Sequence, residues 1–73
     1  MIYRVTLRLR AEKTPRRHVT EDRAEAELTY GELRARVQAG NGYTGSVSLA
    51  AADAPDKLFW LLQRHETGQE VQP

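Results

Sequence analysis

The N-terminal stretch of the chain alternates apolar and polar residues. From Tyr3 to Ala11 every second residue is apolar, and arginine or threonine fills the positions between them. A period of two residues is typical of a strand that buries one face and exposes the other. The pattern therefore predicts a strand over residues 2–11 whose arginines face solvent. Residues 12–18 contain a proline and almost nothing apolar, which predicts a loop.

The same alternation returns between residues 43 and 49. Tyr43, Val47 and Leu49 share one side, and threonine and serine occupy the other. This predicts a second clear strand. The preceding Gly40–Gly42 segment predicts a three-residue loop with Gly42 in the left-handed conformation, because that loop length places the apolar residues on both sides of it on one face.

Residues 23–39 support two interpretations. Apolar residues alternate on both sides of Gly31-Glu32, and a two-residue type II′ turn there would join two strands in matching register. The composition instead favours a helix, because it is rich in alanine, glutamate, leucine and arginine. Its apolar stripe would contain Ala26, Tyr30, Leu33 and Val37. We prefer the two strands, since a glycine inside a helix costs about 1 kcal/mol relative to alanine.

The densest apolar run is Leu58–Leu62, and it follows residues typical of a helix start. Asp53 can cap a helix, and Pro55 suits its first turn. Gly68 is a suitable C-terminal stop. The run therefore predicts a helix that packs its leucines on the sheet and points Trp60 to solvent.

Together these elements predict an α+β fold. The preferred architecture is a four-stranded antiparallel β-meander with one C-terminal helix packed on its apolar face. The alternative is ββαβα, with a helix at about residues 20–39. A chain of 73 residues is long enough for one domain. We expect it to span residues 1–68, with a frayed polar tail at 69–73.

Composition narrows the classes of function. There is no cysteine, the net charge is +1, and the apolar runs are too short to span a membrane. The N-terminus lacks the apolar centre of a signal peptide, so we expect a cytoplasmic protein without a membrane partner. The sequence contains neither a phosphate-binding loop nor a metal-ligand pattern. We therefore expect no enzymatic activity, no cofactor and no metal, with His65 a packed residue.

Two surfaces are candidates for binding. On the predicted helix, Trp60 and Arg64 lie one turn apart and are typical interface anchors. The leading hypothesis is a protein-interaction module (an adaptor, assembly or inhibitor-type factor) that docks on another protein or on a second copy. Its site contains Lys57, Phe59, Trp60 and Arg64.

The alternative hypothesis is a nucleic-acid-binding protein, because the N-terminal quarter of the chain is strongly basic. Pairing of the first two predicted strands would bring Glu25 to Arg8 and neutralise this surface. The basic residues are Arg4, Arg8, Arg10, Lys13, Arg16 and Arg17.

Overall fold

The computed structural model describes residues 1–40 and 42–67. It contains one helix and one four-stranded antiparallel sheet, which confirms the α+β class. The sheet order is β2-β1-β3-β4, so β1 and β3 are the central strands. In chain order the elements are β1 (Ile2–Leu9), β2 (Arg16–Thr20), α1 (Arg23–Ala39), β3 (Gly45–Ala52) and β4 (Trp60–Glu66).

Residues 23–39 form the helix α1, so the preferred hairpin at Gly31-Glu32 is wrong. Both ends of the helix are capped. The Asp22 side chain accepts hydrogen bonds from the backbone N–H groups of Ala24 and Glu25. Gly40 ends the helix at φ 79°, and its N–H donates to the Arg36 carbonyl. These caps satisfy backbone groups that a helix otherwise leaves unpaired. Of the predicted helical stripe, Ala26, Tyr30 and Val37 are buried and Leu33 is partly buried.

Residues 60–66 form the strand β4, so the predicted C-terminal helix is wrong and the order is ββαββ. The helix starter Asp53-Ala54-Pro55-Asp56 instead lies in the β3–β4 connection, where the Lys57 N–H donates to the Ala54 carbonyl. The physical reason is that α1 already covers the apolar face of the sheet. The last segment then satisfies its backbone by pairing with β3. Gly68 and the predicted tail at 69–73 lie outside the described residues.

Strands β1 and β3 confirm the two clear alternations in the sequence. They pair antiparallel with Val5 opposite Leu49 and Leu7 opposite Val47. These four side chains are buried against Ala26, Tyr30 and Val37 of α1 in one core. The apolar set of each strand therefore lies on the face that α1 covers, which we call the covered face.

The predicted loop at 12–18 is wrong from Arg16 onward, because β2 pairs with β1. This strand lacks apolar alternation, so its sequence gave no strand signal. Polar contacts hold it instead. The Thr20 hydroxyl donates to Glu25 of α1 at 2.9 Å, and the His18 ring nitrogen lies 3.1 Å from the same carboxylate.

Strand β4 is irregular. Leu49 lies opposite Gln63 and Ala50 lies opposite Leu61, so Leu62 is an extra residue at a bulge. His65 lies opposite Val47 on the covered face and is only 4% exposed, in agreement with the prediction that it is a packed residue.

The other side of the sheet, which we call the open face, carries mostly polar residues from all four strands. Residues directly opposite each other in antiparallel strands point to the same side, so the register assigns its members. Its polar members are Arg4, Thr6 and Arg8 of β1, Arg17 of β2, Ser46 and Ser48 of β3, and Arg64 and Glu66 of β4. The same registers place the apolar residues Ile2, Val19, Ala50, Ala52 and Leu61 on this face, and Ile2, Thr6, Ala50 and Ala52 are buried.

Candidate functional site

The outer strand β4 and the connection before it expose most of the large apolar side chains of the run Leu58–Leu62. Leu58 is 92% exposed, Leu61 is 60% exposed, and Trp60 and Leu62 are each 42% exposed. Among residues 1–40 and 42–67 the strand pairs with β3 on one side only, so within this part of the chain its other edge has no neighbouring strand. We call Leu58, Trp60, Leu61 and Leu62 together with this free edge the β4 edge.

Trp60 and Arg64 do not form the paired anchor that the sequence predicted. Trp60 lies opposite Ala51, on the covered-face side, whereas Arg64 lies opposite Ser48 on the open face. Arg64 forms an ion pair with Glu66 in the same strand. The pairing expected from helical spacing is absent because a strand alternates its side chains between faces.

The other two residues of the predicted protein-binding site lie in the β3–β4 connection. Lys57 is exposed and precedes Leu58. Phe59 is partly buried, and the Arg4 guanidinium lies 4.1 Å from the centroid of its ring. Phe59 therefore joins the connection to the open face rather than flanking Trp60.

The predicted basic surface divides between the two sides of the sheet. Arg4, Arg8 and Arg17 share the open face. Arg16 lies opposite Leu7 on the covered face, where its Nε donates to Glu12 at 3.0 Å. This hydrogen bond raises the pKa of the Arg16 guanidinium. Arg10 and Lys13 lie in the β1–β2 connection.

The acidic segment does not neutralise Arg8. Glu25 lies on α1, on the far side of the sheet, and contacts His18 and Thr20. Glu27 accepts a hydrogen bond from Arg23, which raises the pKa of that guanidinium. Once the segment forms a helix, its carboxylates cannot reach the open face.

Sequence reasoning missed the membership of Arg64 in the basic surface. Its position follows only from the register between β3 and β4. Because the sequence predicted a helix for this segment, no such register was considered. The signal available was the alternation of Gln63, Arg64, His65 and Glu66, which places both charged residues on one side of a strand.

The described residues contain no cluster of three or more potential metal ligands. Three acidic residues between the β2 strand and the middle of α1 have structural contacts: Asp22 caps α1, Glu25 accepts a hydrogen bond from Thr20, and Glu27 accepts one from Arg23. Within residues 1–40 and 42–67, no helix is long and apolar enough to cross a membrane.

No protein-family model matches the sequence, and the comparisons with curated proteins and with solved structures also give no match. The assignment of function therefore depends on the β4 edge and the open face.

Proposed function

We propose that the protein is a non-enzymatic protein-interaction module of the assembly type, and that its docking surface is the β4 edge. The observation that supports this proposal is the exposure of Leu58, Trp60, Leu61 and Leu62 beside an unpaired strand edge. Exposed edges of this kind are templates for strand addition, in which backbone hydrogen bonds and apolar side chains of the incoming strand are both satisfied. The lack of cysteine suits a reducing compartment, so the proposal places the protein in the cytoplasm.

The proposed occupant of the β4 edge is a second copy of the chain. Two β4 strands related by a two-fold axis would pair antiparallel and cover both edges in one eight-stranded sheet, with both helices on the same side. The net charge of +1 opposes this association only weakly. A small domain also has few other ways to bury apolar surface, since its own core is limited.

The size of the apolar contribution sets the expected affinity. A large apolar side chain that becomes fully buried contributes about 1.5–3 kcal/mol, and roughly half of that is still available at the β4 edge. The four side chains of each copy would together contribute on the order of 10 kcal/mol per dimer. Association costs about 4–15 kcal/mol in rigid-body freedom, which leaves at most about 6 kcal/mol, so we expect a dissociation constant of roughly tens of micromolar or weaker.

Sedimentation equilibrium over a wide concentration range tests this proposal. The wild-type chain should pass from monomer to dimer, and the double variant Trp60→Ser/Leu62→Ser should remain monomeric. Leu28→Ser is the matched control, because Leu28 is 65% exposed on α1, away from the β4 edge. It should dimerise like the wild type.

Three results would count against the proposal. A wild-type chain that stays monomeric at every concentration would exclude a second copy as the occupant. A dimer that persists in Trp60→Ser/Leu62→Ser, or that dissociates in Leu28→Ser, would place the interface elsewhere. Circular dichroism of each variant verifies that the fold is retained.

A further inference from the structure

The open face carries a cross of four arginines centred on small hydroxyl residues. One row runs across the sheet from β2 to β4 through Arg17, Thr6, Ser48 and Arg64, which lie opposite one another in successive strands. Arg4 and Arg8 lie along β1, on either side of Thr6. At about 4.8 Å between strands and about 3.3 Å per residue, each arm of the cross spans roughly 13–14 Å between Cα atoms.

The charge of this face is unbalanced although the net charge of the whole chain is only +1. Glu66 is the only carboxylate that the strand registers place on the open face within the described residues. The acidic residues of α1 lie on the other side of the sheet. Glu25 accepts a hydrogen bond from Thr20 of β2, and Glu27 accepts one from Arg23 of α1. The fold has therefore separated the two signs of charge, which composition cannot reveal.

The guanidinium groups differ in how much of their hydrogen-bonding capacity the protein uses. Across residues 1–40 and 42–67, no ion pair involves Arg8 or Arg17, and both side chains are exposed. Arg4 stacks on Phe59, and its buried Nε has no hydrogen-bond partner among the described residues. Arg64 shares its charge with Glu66. Arg8 and Arg17 are thus best placed to contact an anion.

We propose that the open face binds the phosphate backbone of single-stranded nucleic acid without reading its sequence. Guanidinium groups bind phosphate oxygens in a bidentate manner, and the hydroxyls of the partly exposed Ser46 and Ser48 are additional donors. An arm of the cross has the length of about four nucleotides of a stacked strand, at about 3.4 Å each. This matches the lower end of the site sizes found for proteins that bind single strands through a basic surface.

The surface has no element that could read base edges. Reading a groove requires a helix or ribbon that projects into it, and the row Arg17–Thr6–Ser48–Arg64 lies within the sheet surface itself. Sequence-specific recognition would also require stacking or base-edge contacts. Phe59, the aromatic residue beside the cross, already has Arg4 on its ring. The expected binding is therefore electrostatic and strongly dependent on salt.

Fluorescence anisotropy with a labelled oligothymidylate of about 12 nucleotides, within the range of known site sizes, tests the inference. The four arginines and the one carboxylate of Glu66 give the face a net charge of about +3, which would neutralise about three phosphates. The slope of log affinity against log salt should therefore be about −2. This slope means an affinity loss of about 20-fold between roughly 50 and 200 mM salt. The double variant Arg8→Gln/Arg17→Gln should bind more weakly and lose only about 3-fold over the same interval.

The matched control is Arg34→Gln, which removes an exposed arginine of α1 behind the sheet. It should retain the wild-type slope. The inference would be overturned by absence of binding at low salt, by an unchanged slope in Arg8→Gln/Arg17→Gln, or by an equal loss in Arg34→Gln. Tighter binding to a duplex of the same length, to phosphatidylserine vesicles or to polyglutamate would also overturn it.

This inference does not depend on the dimer proposed for the β4 edge. Trp60→Ser/Leu62→Ser leaves all four arginines in place, so a monomer made in this way should keep the salt slope per chain. A loss of binding in the arginine variant with dimerisation intact, or the reverse, separates the two proposals.

Discussion

Replacement of glycine by alanine should have opposite effects at Gly45 and Gly31. At Gly45, the first residue of β3, a Cβ atom would lie 1.9 Å from the Arg8 carbonyl oxygen and 2.9 Å from the Leu9 Cα. These atoms belong to the backbone of β1, so no side-chain rotation relieves the contact. At Gly31, in the exposed middle of α1, a Cβ would meet nothing within 4 Å.

The magnitudes follow from these two environments. Non-bonded heavy atoms pack at about 3.5 Å or more, so Gly45→Ala must displace β1 from β3 by more than 1 Å. Overpacking of a well-fitted site costs about 1–3 kcal/mol, and we expect the upper end of that range or more because the obstacle is backbone. A domain of this length has a free energy of unfolding of about 4–11 kcal/mol, so much of it would be lost. Gly31→Ala should instead stabilise the protein by about 1 kcal/mol through its higher helix propensity.

Urea unfolding followed by circular dichroism at 222 nm, about the wavelength of the helix signal, measures both effects. Gly31→Ala should raise the midpoint without changing the slope, and Gly45→Ala should lower the midpoint sharply. A destabilised Gly31→Ala variant would refute the helix, since it would indicate the positive φ that a type II′ turn requires at that position. A Gly45→Ala variant as stable as the wild type would refute the close approach of β1 and β3.

Three further predictions concern stability. Asp22→Ala should lower the free energy of unfolding by about 1 kcal/mol, because it removes the side-chain acceptor at the N-terminus of α1. Asp22→Asn should lower it less, and urea titration compares the two variants. Leu49→Ala should cost about 2–5 kcal/mol in the same assay, since Leu49 is fully buried between the sheet and α1, and a loss below 1 kcal/mol would contradict that burial. Burial raises the pKa of the Tyr30 hydroxyl. The unfolded chain therefore releases its proton first, so stability should fall as pH rises above about 10, less steeply in Tyr30→Phe than in the wild type, as followed by thermal unfolding.

Strands β1 and β3 were predictable because the face that each packs against α1 is apolar. Their alternation of apolar and polar residues, from Tyr3 to Leu7 and from Gly45 to Leu49, follows from that packing. Strand β2 was not predictable in this way, because His18 and Thr20 make polar contacts with Glu25 of α1 and do not belong to the apolar core. A short edge strand of this type gives no periodic signal.

The helix was placed at the wrong end of the chain because two segments had conflicting signals. Residues 23–39 alternate well enough to suggest a hairpin. The feature that distinguishes them as a helix is the pair of caps, Asp22 at the start and Gly40 at the end, and not the periodicity. Residues 53–62 have a helix starter followed by apolar residues. Only the whole fold decides between them, since a single helix is enough to cover the sheet.

The exposure expected for Trp60 is observed, but the sequence could not assign the faces of β4. Face assignment depends on strand partners, and the bulge at Leu62 changes the parity midway through β4. The cross of arginines was not predictable for the same reason, because Arg17 and Arg64 lie on one face with Arg4 and Arg8 only through the three pairings of four strands.

Amide hydrogen exchange of β4 at low and high protein concentration tests the central claim most directly. If a second copy occupies the β4 edge, amides between Trp60 and Glu66 that point away from β3 should exchange rapidly in the monomer and slow down as the dimer forms. The amides of β2, at the opposite edge of the sheet, should exchange at the same rate under both conditions. Equal exchange of β4 at both concentrations, or protection that appears at β2 instead, would contradict the proposal.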